Sequence, residues 1–266
     1  MINDIEKLIK TVTEEIRNFT DIAVIGMSGG ADSTLVATLC TIALEKKNVY
    51  GYGMPYNEND FDTFNNRSRK IATKLGIFYA LVPISDSVDH LFHRIEDTTG
   101  NKISSLNLGN IKSRVRMVLL YSLNARLSET TGKRCRVIGT GNLSEDFIGY
   151  ETKGGDALAD IFPIGLLFKS EVYQLLDYFV KKGILKDEMI DRVPSAGLEP
   201  GQTDEEDLGY SYNEMEPAIK FCLANYDRMD FVMWDEIVDF VWKRHLENKH
   251  KHEMSKVINL KKFTGD

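Results

Sequence analysis

Six consecutive residues, Ser28, Gly29, Gly30, Ala31, Asp32 and Ser33, have the types and spacing to grip a polyphosphate. The glycines let backbone N–H groups approach phosphate oxygens closely. A helix starting here adds its free N–H groups and positive partial charge. Ser28 and Ser33 can donate hydroxyl hydrogen bonds, and Asp32 can hold Mg2+ against the same phosphates. The segment follows Ile22-Ala23-Val24-Ile25-Gly26-Met27, which opens as an apolar run suited to a buried parallel strand. It leads into Leu35, Val36, Leu39, Cys40 and Ala43 on one face of a helix. The bland alternative is a tight turn without a ligand. Neither G-x-x-x-x-G-K-[ST] nor G-x-G-x-x-G occurs at this position.

A second concentration of polar chemistry follows the apolar run Val137-Ile138-Gly139. It reads Thr140-Gly141-Asn142-Leu143-Ser144-Glu145, then Gly149 to Asp156, then Asp160-Ile161-Phe162-Pro163. So many carboxylates and hydroxyls behind a buried strand are costly unless they bind something. Asn110, Lys112, Arg114 and Arg116 stand at the start of a helical pattern, where guanidinium groups suit phosphate or carboxylate; a solvated basic turn is the plain alternative. His90 and His93 are one turn apart without a third ligand nearby, so they read as surface residues rather than a zinc site. The basic stretch Lys243–Lys262, centred on Lys249-His250-Lys251-His252, reads as a solvated tail or a phosphate-binding arm.

The elements that must position these groups alternate. An amphipathic helix over 2–19 precedes the first strand. Strands follow at Val49–Met54, Phe78–Ile84 and Arg136–Gly139. Helices are expected over about 61–75, 86–95, 108–128, 169–181, 213–223 and 230–247, with a mobile loop from Asp97 to Asn107 and another over 194–205. The alternation predicts an α/β fold, a doubly wound parallel sheet flanked by helices. Ligands then bind beyond the carboxyl ends of the strands, where Ser28–Ser33 lies and where Gly53 and Met54 would be near an adenine. With no repeat or low-complexity linker, one domain over 1–266 is expected.

The 266 residues can bury a full core, and 42% hydrophobic with 27% charged residues is ordinary for a globular protein. No apolar run approaches the ~20 residues of a membrane span, and no signal peptide is evident. The net charge of -7 disfavours nucleic acid as a partner. Cys40, Cys135 and Cys222 are far apart and read as reduced core thiols of a cytoplasmic protein.

The Ser-Gly-Gly-x-Asp-Ser loop resembles the pyrophosphatase loop of ATP-dependent adenylating enzymes, the adenine nucleotide alpha hydrolase-like, Rossmann-like superfamily. The later segments narrow the resemblance to ammonia-dependent NAD+ synthetases. They are Gly109-Asn110 with Arg114-Val115-Arg116-Met117, Gly139-Thr140, Ser144-Glu145, Gly149-Tyr150, Thr152-Lys153, Asp160 with Pro163, and Lys169. Pro194-Ser195-Ala196, Asp204-Glu205, Leu208-Gly209 and Ser211-Tyr212 complete them. The resemblance implies that Gly26, Met27, Ser28, Gly29, Gly30, Ala31, Asp32 and Ser33 bind ATP, together with Thr140, Lys169 and Ser195. It implies Mg2+ on Asp32 and Glu145, with Lys169 completing the catalytic set. It also implies that Arg114, Lys153, Asp160, His250 and Lys251 hold deamido-NAD+. Where relatives often carry Thr, Tyr and Arg, this chain has Ser195, Gly154 and His252; Gly141-Asn142 stands where one branch has Asp-His.

The expected reaction joins ammonia to deamido-NAD+ through an adenylated carboxylate, giving NAD+, AMP and pyrophosphate. A homodimer is part of the same implication. Rival readings are the ATP-splitting part of GMP synthetase, a tRNA-modifying adenylase and a non-catalytic nucleotide sensor. Free ammonia is the expected nitrogen donor, because only Met1–Asp21 precedes the first strand and no cysteine sits where a glutaminase nucleophile would.

Overall fold

The computed structural model of the protein describes residues 1–57, 64–190, 203–231, 235–253 and 258. Four parallel strands, β1 (Ile22–Gly26), β2 (Val49–Gly53), β3 (Phe78–Leu81) and β4 (Cys135–Ile138), lie in the order β3-β2-β1-β4. β1 pairs on one side with β2, Ala23 opposite Val49, and on the other with β4, Ile22 opposite Cys135. The chain therefore winds outward from β1 to β3 and returns to the far side of β1 for β4. This reversal puts the topological switch point at the carboxyl end of β1, where the glycine-rich loop begins.

Alternate residues of each strand face opposite layers. Ala23 and Ile25 pack with α1 (Ile5–Phe19), α2 (Ala31–Leu44), α3 (Arg69–Leu75) and α7 (Lys169–Lys181). Val24 and Val137 pack with α4 (Ser85–Thr99) and α5 (Ser105–Thr131). A third cluster joins α6 (Leu143–Phe147), α9 (Tyr212–Ala224) and α10 (Glu236–Asn248) around Phe147, Met215, Ile219 and Val241. The short α8 (Asp204–Leu208) adds Leu208 to that lobe.

Several boundaries differ from expectation. The segment 97–107 is mostly helical: α4 runs on to Thr99, and α5 starts at Ser105 after the Ser104 hydroxyl accepts from the Asn107 N–H. Helix-favouring packing and a side-chain cap outweigh the polar composition. The helix α2 is buried nearly all round, not on one face, because α1 and α7 cover its outer side. Its Thr34, Thr38 and Thr41 hydroxyls donate to carbonyls one turn back at 2.7 to 2.8 Å, which lets threonines be buried there. Among the described residues no helix is long and apolar enough to cross a membrane.

Candidate active site

The loop after β1 is built to stay open. Gly29 has φ +76, in the left-handed region, and a Cβ there would lie 3.0 Å from the Ser68 hydroxyl. Two residues just before α3 brace it: the Arg67 Nε donates to the Gly29 carbonyl at 2.8 Å, and the Ser68 hydroxyl to the Met27 carbonyl at 3.0 Å. Within the loop the Ser28 and Ser33 hydroxyls lie 3.2 Å apart, and the Gly30 N–H donates to Ser28 Oγ at 3.2 Å. Asp32, in the first turn of α2, faces the carboxyl end of β4.

There it meets residues from 110 and 137 positions further along. Lys169, at the start of α7, donates from Nζ to Asp32 Oδ2 at 2.6 Å and to Glu145 Oε1 at 2.8 Å. Asn142 donates to Asp32 Oδ1 at 3.0 Å, and its own side-chain oxygen caps α6 by accepting from the Glu145 N–H at 3.2 Å. The Lys169 side chain is only 5% exposed. Burial alone would lower its pKa, but the Asp32 and Glu145 carboxylates outweigh that and hold the ammonium firmly charged. Burial pushes the Glu145 carboxyl up to about 7, against the pull of Lys169 and helped by Asp32 and Asp204. The Tyr212 hydroxyl donates to Asp204 Oδ2 at 3.0 Å and to Glu145 Oε1 at 3.4 Å.

These groups form one wall of an open cavity of about 80 Å³, lined by Ser28, Asp32, Ser33, Thr140, Gly141 and Glu145 on one side and by Asp146, Tyr150, Glu151 and Asp156 on the other. Five of the ten are carboxylates and none is basic. A phosphate ligand therefore needs added positive charge. Among the described residues no three His, Cys, Asp or Glu side chains converge as a complete metal shell. Mg2+ commonly takes one or two carboxylates and fills the rest of its octahedron with phosphate oxygens and water. Asp32 and Glu145, two hard oxygen donors already converging on one cation, fit that requirement.

The far wall is tied to the end of α10 and the turn that follows it. Lys251 Nζ donates to the Gly149 carbonyl at 2.6 Å and to that of Glu151 at 2.8 Å. Arg244 and His245 of α10 meet the carbonyls of Ile148 and Phe147 at 3.2 and 3.0 Å. His252 lies 2.5 Å from Glu151 Oε1, and that contact raises its pKa. Burial and the neighbouring Glu151 carboxylate push Asp146 up to about 8. Gly149 has φ +63, and a Cβ there would overlap the Asn248 side chain, so the tail packs onto bare backbone.

Of the expected nucleotide set, Ser28, Asp32, Ser33 and Thr140 line one cavity with Glu145, and Lys169 is tied to it through Asp32 and Glu145. Ser195 lies outside the described residues. The backbone after β2 is engaged within the protein: the Met54 carbonyl accepts from Arg116 Nε at 3.1 Å, and the Gly53 carbonyl from the Val82 N–H at 2.8 Å. Of the expected dinucleotide set, Arg114 Nε donates to the Lys153 carbonyl at 3.2 Å, and Lys153 Nζ donates to the His250 carbonyl. Asp160 sits apart, its Oδ2 accepting from the Val137 N–H at 2.8 Å and its Oδ1 from the Tyr121 hydroxyl at 3.4 Å, which pins β4. The roles of Asn142, Asp146, Glu151 and Glu216 were not legible in the sequence. For Glu216 one signal exists: a charge on the apolar face of a helical pattern, between Met215 and Ile219.

Residues 1–255 match the family model described as NAD synthase. The NH3-dependent NAD+ synthetase of Campylobacter jejuni subsp. doylei is 34% identical over 256 residues, 96% of this chain and 97% of that protein. The solved NMN synthetase of Francisella tularensis superposes with a TM-score of 0.76 at 25% identity, covering 97% of this chain and 100% of that one. The solved NH3-dependent NAD synthetase of Campylobacter jejuni subsp. jejuni gives a TM-score of 0.74 at 26% identity, with coverage of 97% and 100%.

Proposed function

The chain belongs to the NAD synthase family, and on that premise we propose that it uses ATP to join ammonia to the nicotinate carboxylate of deamido-NAD+. The observation that carries the reading is the ion cluster Lys169–Asp32–Glu145 beside the glycine-rich loop at the switch point of the sheet. A carboxylate does not lose oxide to ammonia. Its oxygen must first attack the α-phosphorus of ATP, expelling pyrophosphate and leaving an acyl adenylate. Ammonia then adds to the carbonyl, AMP leaves, and the nitrogen gives up a proton.

This chain's residues supply position and charge. The N–H groups of the loop and of the first turn of α2 face the phosphates. Lys169 holds an ammonium, kept charged by its two neighbours, where negative charge builds on the departing pyrophosphate. Asp32 and Glu145 would hold Mg2+, which when bound offsets the charge of the β- and γ-phosphates. No side chain serves as nucleophile. Burial pushes the Cys40 thiol up to about 12 and Cys222 to about 11, which suits core packing and supports free ammonia as donor. Arg114, Lys153 and His250 are linked to one another, Lys251 holds the backbone at Gly149 and Glu151, and these four, with Asp160, are the proposed contacts of the dinucleotide.

A homodimer in the cytoplasm completes the proposal. Val118 on α5 is 66% exposed and offers an apolar contact, and three unpaired thiols suit a reducing compartment. Sedimentation at assay concentration tests the dimer; an active monomer overturns it. The decisive test of the reaction mixes protein, ATP, Mg2+, ammonium and deamido-NAD+, with the deamido mononucleotide and ammonia-free glutamine in parallel. NAD+, AMP and pyrophosphate should appear in equal amounts. ADP and phosphate would sink the mechanism, faster turnover of the mononucleotide would reassign the substrate, and equal rates with glutamine would reassign the donor.

A further inference from the structure

The helix α7, which carries Lys169 on its first residue, has Phe168 at its N-cap, and a phenyl ring cannot accept from the free N–H groups of the first turn. The acceptors come from elsewhere. The Lys169 N–H donates to Ser144 Oγ at 3.0 Å, and the Ser170 N–H donates to Glu216 Oε1 at 2.9 Å. The Ser144 hydroxyl donates in turn to the same Glu216 oxygen at 3.1 Å, and the Ser170 hydroxyl donates to Glu216 Oε2 at 2.5 Å. Glu216 is 4% exposed and sits in the second turn of α9. One buried carboxylate therefore holds the two serines that immediately precede Glu145 and follow Lys169. Its negative charge also lies at the positive end of α7. One turn earlier on the same helix, Tyr212 reaches Glu145 Oε1 directly.

We propose that Glu216 is a positioning residue for the Lys169–Asp32–Glu145 cluster. It acts behind the cavity, through Ser144 and Ser170, and touches no substrate. The buried carboxylate fixes where the ammonium and the Glu145 oxygens stand relative to each other. Losing it frees two helix starts at once. Misplacement of a reacting group by about 1 Å costs up to ~100-fold in rate, and loss of an outer-sphere partner ~10- to 100-fold in metal affinity or activity. The inference rests on the proposed reaction for its rate readout, so a binding readout runs beside it.

The test compares Glu216→Ala, Glu216→Gln and Ser144→Ala, each assayed well below its own melting temperature. Glu216→Ala should lower kcat by about 10- to 100-fold and weaken calorimetric binding of Mg2+-ATP by about tenfold, while KM for ammonium stays within about twofold. Glu216→Gln keeps one oxygen for the Ser170 N–H and the Ser144 hydroxyl, and its amide can donate to the Ser170 hydroxyl. It should restore both quantities to within about threefold. If Glu216→Ala does not fold, Ser144→Ala decides, with an expected kcat loss of about tenfold. Unchanged kcat and Mg2+-ATP affinity in the folded variants would overturn the proposal, as would losses that follow only the folded fraction. If the wild-type protein makes no NAD+, the proposed reaction fails while the Mg2+-ATP affinities still judge Glu216.

Discussion

The two walls of the cavity are held by opposite means. On the near wall side chains hold side chains: Lys169 bridges two carboxylates, Asn142 braces one of them, and Glu216 secures the backbone behind. Every donor rides on a helix start or a strand end packed into the sheet. On the far wall the cations Arg244, Lys251 and His252 hold mainly backbone carbonyls, and the end of α10 with the turn after it, which carries them, is half exposed. The difference teaches that the near wall is preorganised for charge that develops in a reaction, whereas the far wall is shaped by a contact that needs residues 244–252 in place. Rigid side-chain pairs give electrostatic stabilisation without reorganisation.

Breaking the near wall should have the largest effect. Asp32→Ala and Glu145→Ala should each lower kcat for pyrophosphate release by about 100- to 1,000-fold at saturating Mg2+, the scale of losing one preorganised electrostatic contact. Circular dichroism should show the native helix content. If turnover survives in the folded variants, the cluster is a structural ion pair and the contrast between the walls collapses.

A cut at the far wall should do less. Lys251→Met removes two hydrogen bonds from an ammonium to carbonyls and should cost about 1 kcal/mol by urea unfolding. It should raise KM for the dinucleotide severalfold and leave kcat nearly unchanged. A fall in kcat as large as that of Asp32→Ala would place Lys251 in the chemistry rather than in the frame.

The smallest effect should be the His252 share of the pH dependence of stability, to which Asp146 and the near wall's Glu145 also contribute. The contact with Glu151 raises the His252 pKa above the ordinary histidine value of about 6.5. The stability it contributes is therefore fully present below that value and is lost as pH rises through the raised one. Asp146, pushed up to about 8, acts in the same sense, since the folded state holds its proton longer than the unfolded chain does. Melting temperature should thus decline as pH rises from about 4 toward 8 through the raised carboxyl, with His252 adding its share above pH 6.5. His252→Gln should flatten that decline by about 2 °C or less and leave Asp146's share. An identical profile in the variant would show that the imidazole contributes nothing to the docking.

Much was legible before any fold was in view. The strand, the Ser28–Ser33 turn and the existence of α2 follow from apolar spacing and glycine placement, because period and backbone freedom are local properties. So does the alternation that implies a parallel sheet. The polar density after β4 marked Thr140 and Glu145, since buried polar groups must find partners. Composition misled at Asp97–Asn107, where packing of α4 and α5 extended helices through polar residues. Nothing local announces that Asn142 reaches Asp32, that Asp160 pins β4, or that His252 pairs with Glu151. The sequence by itself determined which residues could carry charge and which faces had to be buried. Only the tertiary structure decided that Lys169 stands between carboxylates 137 and 24 positions away, and that Glu216 holds the starts of the helices that carry Lys169 and Glu145. The physical reason is that a hydrogen bond depends on ångströms between atoms, and distances between residues so far apart in sequence are set by how the layers stack on the sheet.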